Sequence, residues 1–268
     1  MSSSARTHTD PRISRRRRAV ARTRRRRVLT RLALITGAAA LAWLVFFSPL
    51  LAVREVKLSG AKYTSAAEVQ GVAGLDSSDN LLLISSSEVA ERLKTLPWVK
   101  SVTVDRKLPG TVKVSITERR AAAFLAVGDR HFTLDRRARV LAGGAVGEGL
   151  PVLAGVLMEP PKPGERLESP ELGGALEALG SLSKRQRADV RAVFAPSTER
   201  ITFQMSDGIQ VRYGAAEDMA SKNEVLAGLL RRLRGEGRTA SYVDVRVPEA
   251  PAVGPLPAGA STAVAPAP

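Results

Sequence analysis

The chain has 268 residues, a formal net charge of +15 and no cysteine. The last point excludes disulfides, thiolate zinc sites and cysteine nucleophiles. Most of the charge is local: residues 1–31 hold twelve arginines and one aspartate, whereas residues 54–247 hold 29 basic and 24 acidic residues, so the basic pI describes an arm rather than the whole molecule.

That arm, residues 1–31, is too polar and too charged to bury a core and reads as disordered. No aromatic residue interleaves its arginines, so nucleic-acid binding is not expected, and the cluster suits topology setting and anionic lipid. Next comes Leu32 to Leu51, twenty residues without a charge. As a helix rising about 1.5 Å per residue, such a run crosses the roughly 30 Å hydrocarbon core of a bilayer. It exceeds the apolar stretch of a cleaved signal peptide and is followed by no small-x-small site. The expectation is an uncleaved single-pass anchor over residues 32–52. The basic arm then stays cytoplasmic and the chain from residue 53 onward is exported.

Residues 53–60 alternate and stop at Gly60, as a short strand does. Ser65 to Glu68 and Ser85 to Glu88 are capping boxes, each opening a helix; Val89, Leu93 and Leu96 follow on one face, and Pro97 ends the second helix. After Trp98, expected in the core, the period becomes two. Val102 and Val104, then Val112, Val114 and Ile116, form a hairpin around Leu108-Pro109-Gly110. Residues 53–120 thus read as a β-α-α-β-β unit. Residues 121–247 read as short strands (123–127, 130–134, 139–141, 190–195, 200–205, 209–213) with helices at 172–182 and 215–234. Leu150 to Gly155 is a short apolar segment, and Glu159 to Pro170 a loop. In the last helix Met219, Leu226, Leu229, Leu230 and Leu233 lie on one face, and arginines crowd its last turn, complementing the dipole. The final strand is Ser241, Tyr242, Val243, Asp244, Val245, Arg246 and Val247, ended by Pro248. Residues 248–268, rich in Pro, Ala and Gly, read as a disordered tail. The predicted class is α+β: one transmembrane helix, the β-α-α-β-β unit, and a mainly antiparallel β domain with helices.

Catalytic signatures are missing. His131 is the one histidine after the arm, and in an alternating strand it reads as a surface or half-buried side chain. There is no nucleophile elbow and no phosphate-binding glycine loop; Gly143 to Gly149 has the wrong spacing and no following helix. No cofactor and no metal are expected.

Several segments together resemble the FtsQ/DivIB family of bacterial cell-division proteins. They are Trp98-Val99 leading into Val102, Val104 and Arg106; Leu108-Pro109-Gly110; Ile116 to Arg119; Leu150 to Gly155; Tyr213-Gly214; Lys222; and Tyr242 to Arg246. The resemblance covers residues 32–247. It implies a POTRA domain followed by the family's β domain, and no enzymatic activity. It further implies a divisome scaffold at the septum that holds FtsB- and FtsL-like partners, FtsB at Ser241 to Val247, with Arg246 and Val247 important. The chain departs from the family at Arg120-Ala121, where proline is usual. It also has Ala138 where Asp-x-x-Gly would put glycine, and Val247 where an aromatic can occur.

On the residues alone, Tyr242, Asp244 and Arg246 read as the solvated face of an interior strand; with the resemblance, the strand followed by Pro248 is expected to be an edge that accepts a partner segment through its unpaired main-chain groups. Glu118-Arg119 is expected to form an interdomain salt bridge. Two rival functions remain at this level: an exported cell-wall enzyme using paired carboxylates, and a nucleic-acid or lipid tether acting through the arginine arm.

Overall fold

The computed structural model describes residues 28–41, 43, 51–76, 79–238 and 240–255. Residues 28–41 and 43 are helical, while 42 and 44–50, which belong to the predicted span Leu32–Leu51, lie outside the described residues. Among the described residues no helix is long and apolar enough to cross a membrane. The arginine arm up to residue 27 and the tail from residue 256 also lie outside them.

From residue 55 the order is β1 (Glu55–Ser59), α1 (Ala66–Ala73), α2 (Ser86–Leu93), β2 (Val99–Lys107) and β3 (Thr111–Glu118). The three strands form a sheet in the order β1-β3-β2. Ser65 opens α1 as read from the sequence: its hydroxyl accepts from the Glu68 N–H at 3.1 Å, and the Glu68 carboxylate accepts from the Ser65 N–H at 2.8 Å.

Contacts divide the chain into two compact units. The first is Met1–Lys57, Gly74–Ser86 and Val104–Val114; the second is Leu58–Ala73, Ser87–Thr103 and Ser115–Pro268. Backbone bonds knit the first together. Val53 N–H donates to Asp79 O (3.0 Å), Leu81 N–H to Leu51 O (2.8 Å), and Arg54 and Glu55 N–H both to Gly110 O (2.7 and 3.2 Å). Gly110 has to be glycine there, because a Cβ would lie 2.6 Å from the Ala52 carbonyl oxygen.

In the second unit Trp98 is buried and stacks on Tyr63, with centroids 4.2 Å apart. The chain continues through β4 (Ala121–Val127), β5 (Arg130–Asp135), β6 (Val140–Gly143), β7 (Val152–Ala154), α3 (Pro170–Ser181), α4 (Lys184–Ala188), β8 (Val190–Phe194), β9 (Ile201–Met205), β10 (Gln210–Gly214), α5 (Met219–Gly235), β11 (Tyr242–Asp244) and β12 (Ala252–Gly254). These strands form one nine-stranded sheet in the order β12-β11-β10-β9-β8-β7-β4-β5-β6. The class is α+β, and the large sheet is mixed, with five antiparallel strand pairs and three parallel ones among the described residues. β4·β7, β7·β8 and β10·β11 are parallel pairs. Parallel neighbours need a crossover instead of a hairpin, and α5 supplies one between β10 and β11.

One apolar cluster fills this part, drawing Leu125, Phe132 and Leu153 from the sheet, Leu172, Leu176 and Leu179 from α3, and Leu226, Leu230 and Leu233 from α5. The inward face of α5 also contains Lys222, buried, its Nζ donating to the Ala215 carbonyl at 2.9 Å. Residues 215–218 therefore form a fixed loop before the helix. Asp218 sits there in the left-handed region at φ +47°, and α5 begins at Met219, later than predicted.

Candidate functional site

The two ends of the nine-stranded sheet are β6 and β12. The β6 end is covered by the chain itself: Gly164 N–H donates to Val140 O at 2.8 Å, Val140 N–H donates to Glu165 O at 2.8 Å, and Arg139 bridges to Arg166. At the other end no strand among the described residues pairs with the far side of β12.

That end is built in steps. β11 lies parallel to β10, Gln210 opposite Tyr242 and Arg212 opposite Asp244. Val243 and Val245 point into the core and are fully buried. Their neighbours face outward, where the Arg212 guanidinium sits 3.8 Å from the centre of the Tyr242 ring, a close cation–π contact. Arg246 chelates Asp244, with Nη2 to Oδ2 at 2.7 Å and Nε to both oxygens at 3.0 Å. This bond holds the Asp244 carboxyl below its ordinary value and raises Arg246. Gly214, at φ +78°, makes room for the Arg246 stem, since a Cβ there would lie 3.0 Å from its Cγ.

After Val245 the chain turns. Ala250 N–H donates to Val247 O at 3.1 Å, and the chain returns as β12, antiparallel to β11, with Tyr242 opposite Gly254 and Val243 opposite Val253. A Cβ at Gly254 would collide with the Tyr242 ring, so glycine lets the strands close. Ser241 fastens the far end: its hydroxyl donates to Pro255 O at 2.7 Å.

The predicted edge, Ser241 to Val247, needs correction. Only Tyr242–Asp244 is strand, and it has a neighbour on each side, so the open edge belongs to Ala252–Gly254. The strand ends at Asp244, before Pro248 is reached, and Pro248 lies instead in the 247–250 turn that brings the chain back. The segment beyond it was read as tail because Pro, Ala and Gly dominate its composition. An Ala-Val-Gly triplet is too short to show a period of two. Val247 stands exposed in the turn, and Val253 is exposed on β12.

Glu118 and Arg119 do not pair with each other. Glu118 accepts from the N–H groups of Tyr63 (2.9 Å) and Thr64 (2.8 Å). Burial raises its carboxyl, but these bonds outweigh it, and the group titrates below its ordinary value. Arg119 pairs with Asp135 at 3.1 Å, and Asp135 also accepts from the N–H groups of Arg137 and Arg139. Arg119 further donates to Val99 O at 3.2 Å, and its N–H donates to Trp98 O at 2.7 Å.

Glu118 and Glu148 line one open cleft. Glu118 is nevertheless committed to the 63–64 loop and held ionised, the wrong direction for a general acid. Asp189 and Asp207 converge, but on Arg234, each at 2.9 Å. Among the described residues no three His, Cys, Asp or Glu side chains are grouped to hold a metal ion. His131 is exposed.

Comparison with known proteins bears on this arrangement. A profile described as POTRA domain, FtsQ-type, matches residues 51–119, and one described as cell division protein FtsQ/DivIB, C-terminal, matches residues 123–246. The cell division protein FtsQ of Anaeromyxobacter sp. (strain K) is 31% identical over 218 residues, 79% of this chain and 74% of that one. This chain belongs to the FtsQ/DivIB family. Cell division protein FtsQ of Corynebacterium glutamicum is 27% identical over 194 residues, covering 72% of this chain and 85% of its own. That of Mycobacteroides abscessus is 31% identical over 216 residues, covering 81% and 66%. As an FtsQ/DivIB-family member the chain is a cell-division protein with a POTRA domain. The second matched region stops at residue 246, short of β12.

Proposed function

We propose that this FtsQ/DivIB-family protein is a non-enzymatic, membrane-anchored scaffold of the division machinery. It takes up FtsB- and FtsL-like partners at the β11–β12 end of its large sheet. The observation that carries the reading is the unpaired outer side of β12, set against a β6 end that the chain itself covers. An extended partner segment that adds there gains main-chain hydrogen bonds, while Val253, Val247 and the Arg246–Asp244 pair supply side-chain selection. Ser241 to Val247 then serve as the bed under the docking strand, with Tyr242 and Ser241 fixing β12 in place.

The uncharged run Leu32–Leu51, with twelve arginines before it, supports one crossing of the cytoplasmic membrane, arm inside and the chain from residue 53 outside. Within that frame residues 53–120 act as the POTRA domain and 121–247 as the β domain, and the protein works at the septum.

The test is capture of the cognate FtsB by the full-length protein in detergent. Deleting Ala252–Gly254, or replacing Val253 by Asp, should weaken capture at least about tenfold, roughly 1.4 kcal/mol. Unchanged capture by both variants would refute the docking edge.

A further inference from the structure

We propose that Leu83 and Leu108 form an apolar apex by which the first compact unit rests in the interfacial layer of the membrane that holds the anchor. The inference rests on the anchor reading above and adds a second, non-covalent contact with the same bilayer.

Both side chains are far more exposed than leucines of a folded unit usually are, 71% for Leu83 and 67% for Leu108. Neither is loose. Leu83 closes a turn that Asn80 opens, with Leu82 N–H donating to the Asn80 side chain at 2.9 Å and Leu83 N–H to the Asn80 carbonyl at 2.9 Å. Arg106 clamps the closing side of that turn from the next strand. Its Nη1 donates to the carbonyls on both sides of Leu83, those of Leu82 at 3.1 Å and Ile84 at 3.2 Å. Leu108 lies two residues beyond Arg106, in the turn between β2 and β3. The two leucines thus project from elements bonded to one another.

What covers them follows from where the chain enters. The last residue of the uncharged run and those just after it are bonded to both leucine-bearing turns. Leu51 O accepts from Leu81 N–H, Ala52 bridges to Asn80, and Arg54 N–H donates to Gly110 O. Arg54 is three residues past the run, hence within about 10 Å of its end even if fully extended. The interfacial layer of a bilayer is of the same order in depth, and apolar side chains of surface-lying elements sink about 5–10 Å into it. From residue 51 onward this unit holds five cations (Arg54, Lys57, Arg106, Lys107 and Lys113) against four acids (Glu55, Asp76, Asp79 and Asp105). The contact is therefore apolar, not an attraction to anionic headgroups.

The absence of cysteine makes the test direct. Single variants Leu83→Cys and Leu108→Cys of the full-length protein, labelled with an environment-sensitive fluorophore, are placed in nanodiscs of phosphatidylcholine containing a lipid-borne quencher. Leu34→Cys, in the uncharged run, reports the anchor, and Leu157→Cys, fully exposed in the second unit, reports water. The expected result is blue-shifted emission and several-fold stronger quenching at positions 83 and 108 than at 157, unchanged when a third of the lipid is phosphatidylglycerol. Quenching at 34 with water-like signals at 83 and 108 would overturn the inference and leave the anchor standing. An unquenched probe at 34 would remove the anchor itself, and with it the inference. A shift at 83 and 108 seen only with anionic lipid, or only after partner proteins are added, would assign the apex to another ligand and likewise overturn it.

Discussion

The two edges of the nine-stranded sheet receive opposite treatment. At β6 the segment around Gly164 to Leu167 folds back, exchanges main-chain bonds with Val140 and Ala138, and closes the edge. At β12 the chain adds a three-residue strand and leaves its outer side open. Unpaired strand edges invite unwanted association, and proteins usually blunt them. Closing one and leaving the other short and exposed is the arrangement that the proposed docking of a partner at β12 requires. The difference separates stability from recognition: damage at the closed end should unfold the domain, and damage at the open end should cost binding.

The largest effect should come from the closed side. Asp135 is only 6% exposed and gathers Arg119 together with two backbone N–H groups. Asp135→Ala leaves those groups unpaired and should cost about 3 kcal/mol, read as the denaturant midpoint. Gly164 lies at φ +90°, so Gly164→Ala should cost about 1–2 kcal/mol. By loosening the cover of β6 it should also make the protein self-associate in sedimentation; a monomer at all concentrations would break the comparison. Deleting β12 should cost less than about 1 kcal/mol, since its exposed residues bury little, while losing FtsB capture. Glu118 adds a pH signature. Its folded value is depressed, so the stability it gives is fully present above its ordinary 4.5 and is lost as pH falls through the folded value. Wild type should lose more stability on acidification than Glu118→Gln does. The smallest effect is Ala138→Gly. Ala138 sits at φ +57°, and glycine relieves about 1 kcal/mol of left-handed strain while giving up about 0.8 kcal/mol of buried methyl, a net change under about 0.5 kcal/mol.

Ala138 also measures how legible the chain is. The resemblance marks Ala138 as standing where Asp-x-x-Gly would put glycine, and the structure supplies the reason glycine suits that place, a left-handed φ of +57°. The β-α-α-β-β unit was equally legible, because capping boxes and a change of period mark its elements. What escaped was non-local. β7 is central in the sheet, parallel to both neighbours, yet it is three residues long and looks like a loose apolar segment. Gly155 after it lies at φ +91°, and a Cβ there would sit 2.8 Å from the Phe194 ring, a contact between residues 39 positions apart. Lys222 was invisible as a core residue because its partner is a carbonyl fixed only in the fold. The candidate site was half legible: Tyr242 to Arg246 were found, but the strand that covers them was not. Its partner choice depends on Gly254 fitting the Tyr242 ring, and no pattern of residue types records that.

The order of the strands has a consequence for biogenesis. β12 is the last described strand in the chain and stands at the end of the sheet, resting on β11, which itself follows the crossover helix. During synthesis and export the edge cannot exist until nearly everything before it has emerged and folded. On the proposed docking role, a stalled or clipped polypeptide would thus lack the edge on which a partner is to add.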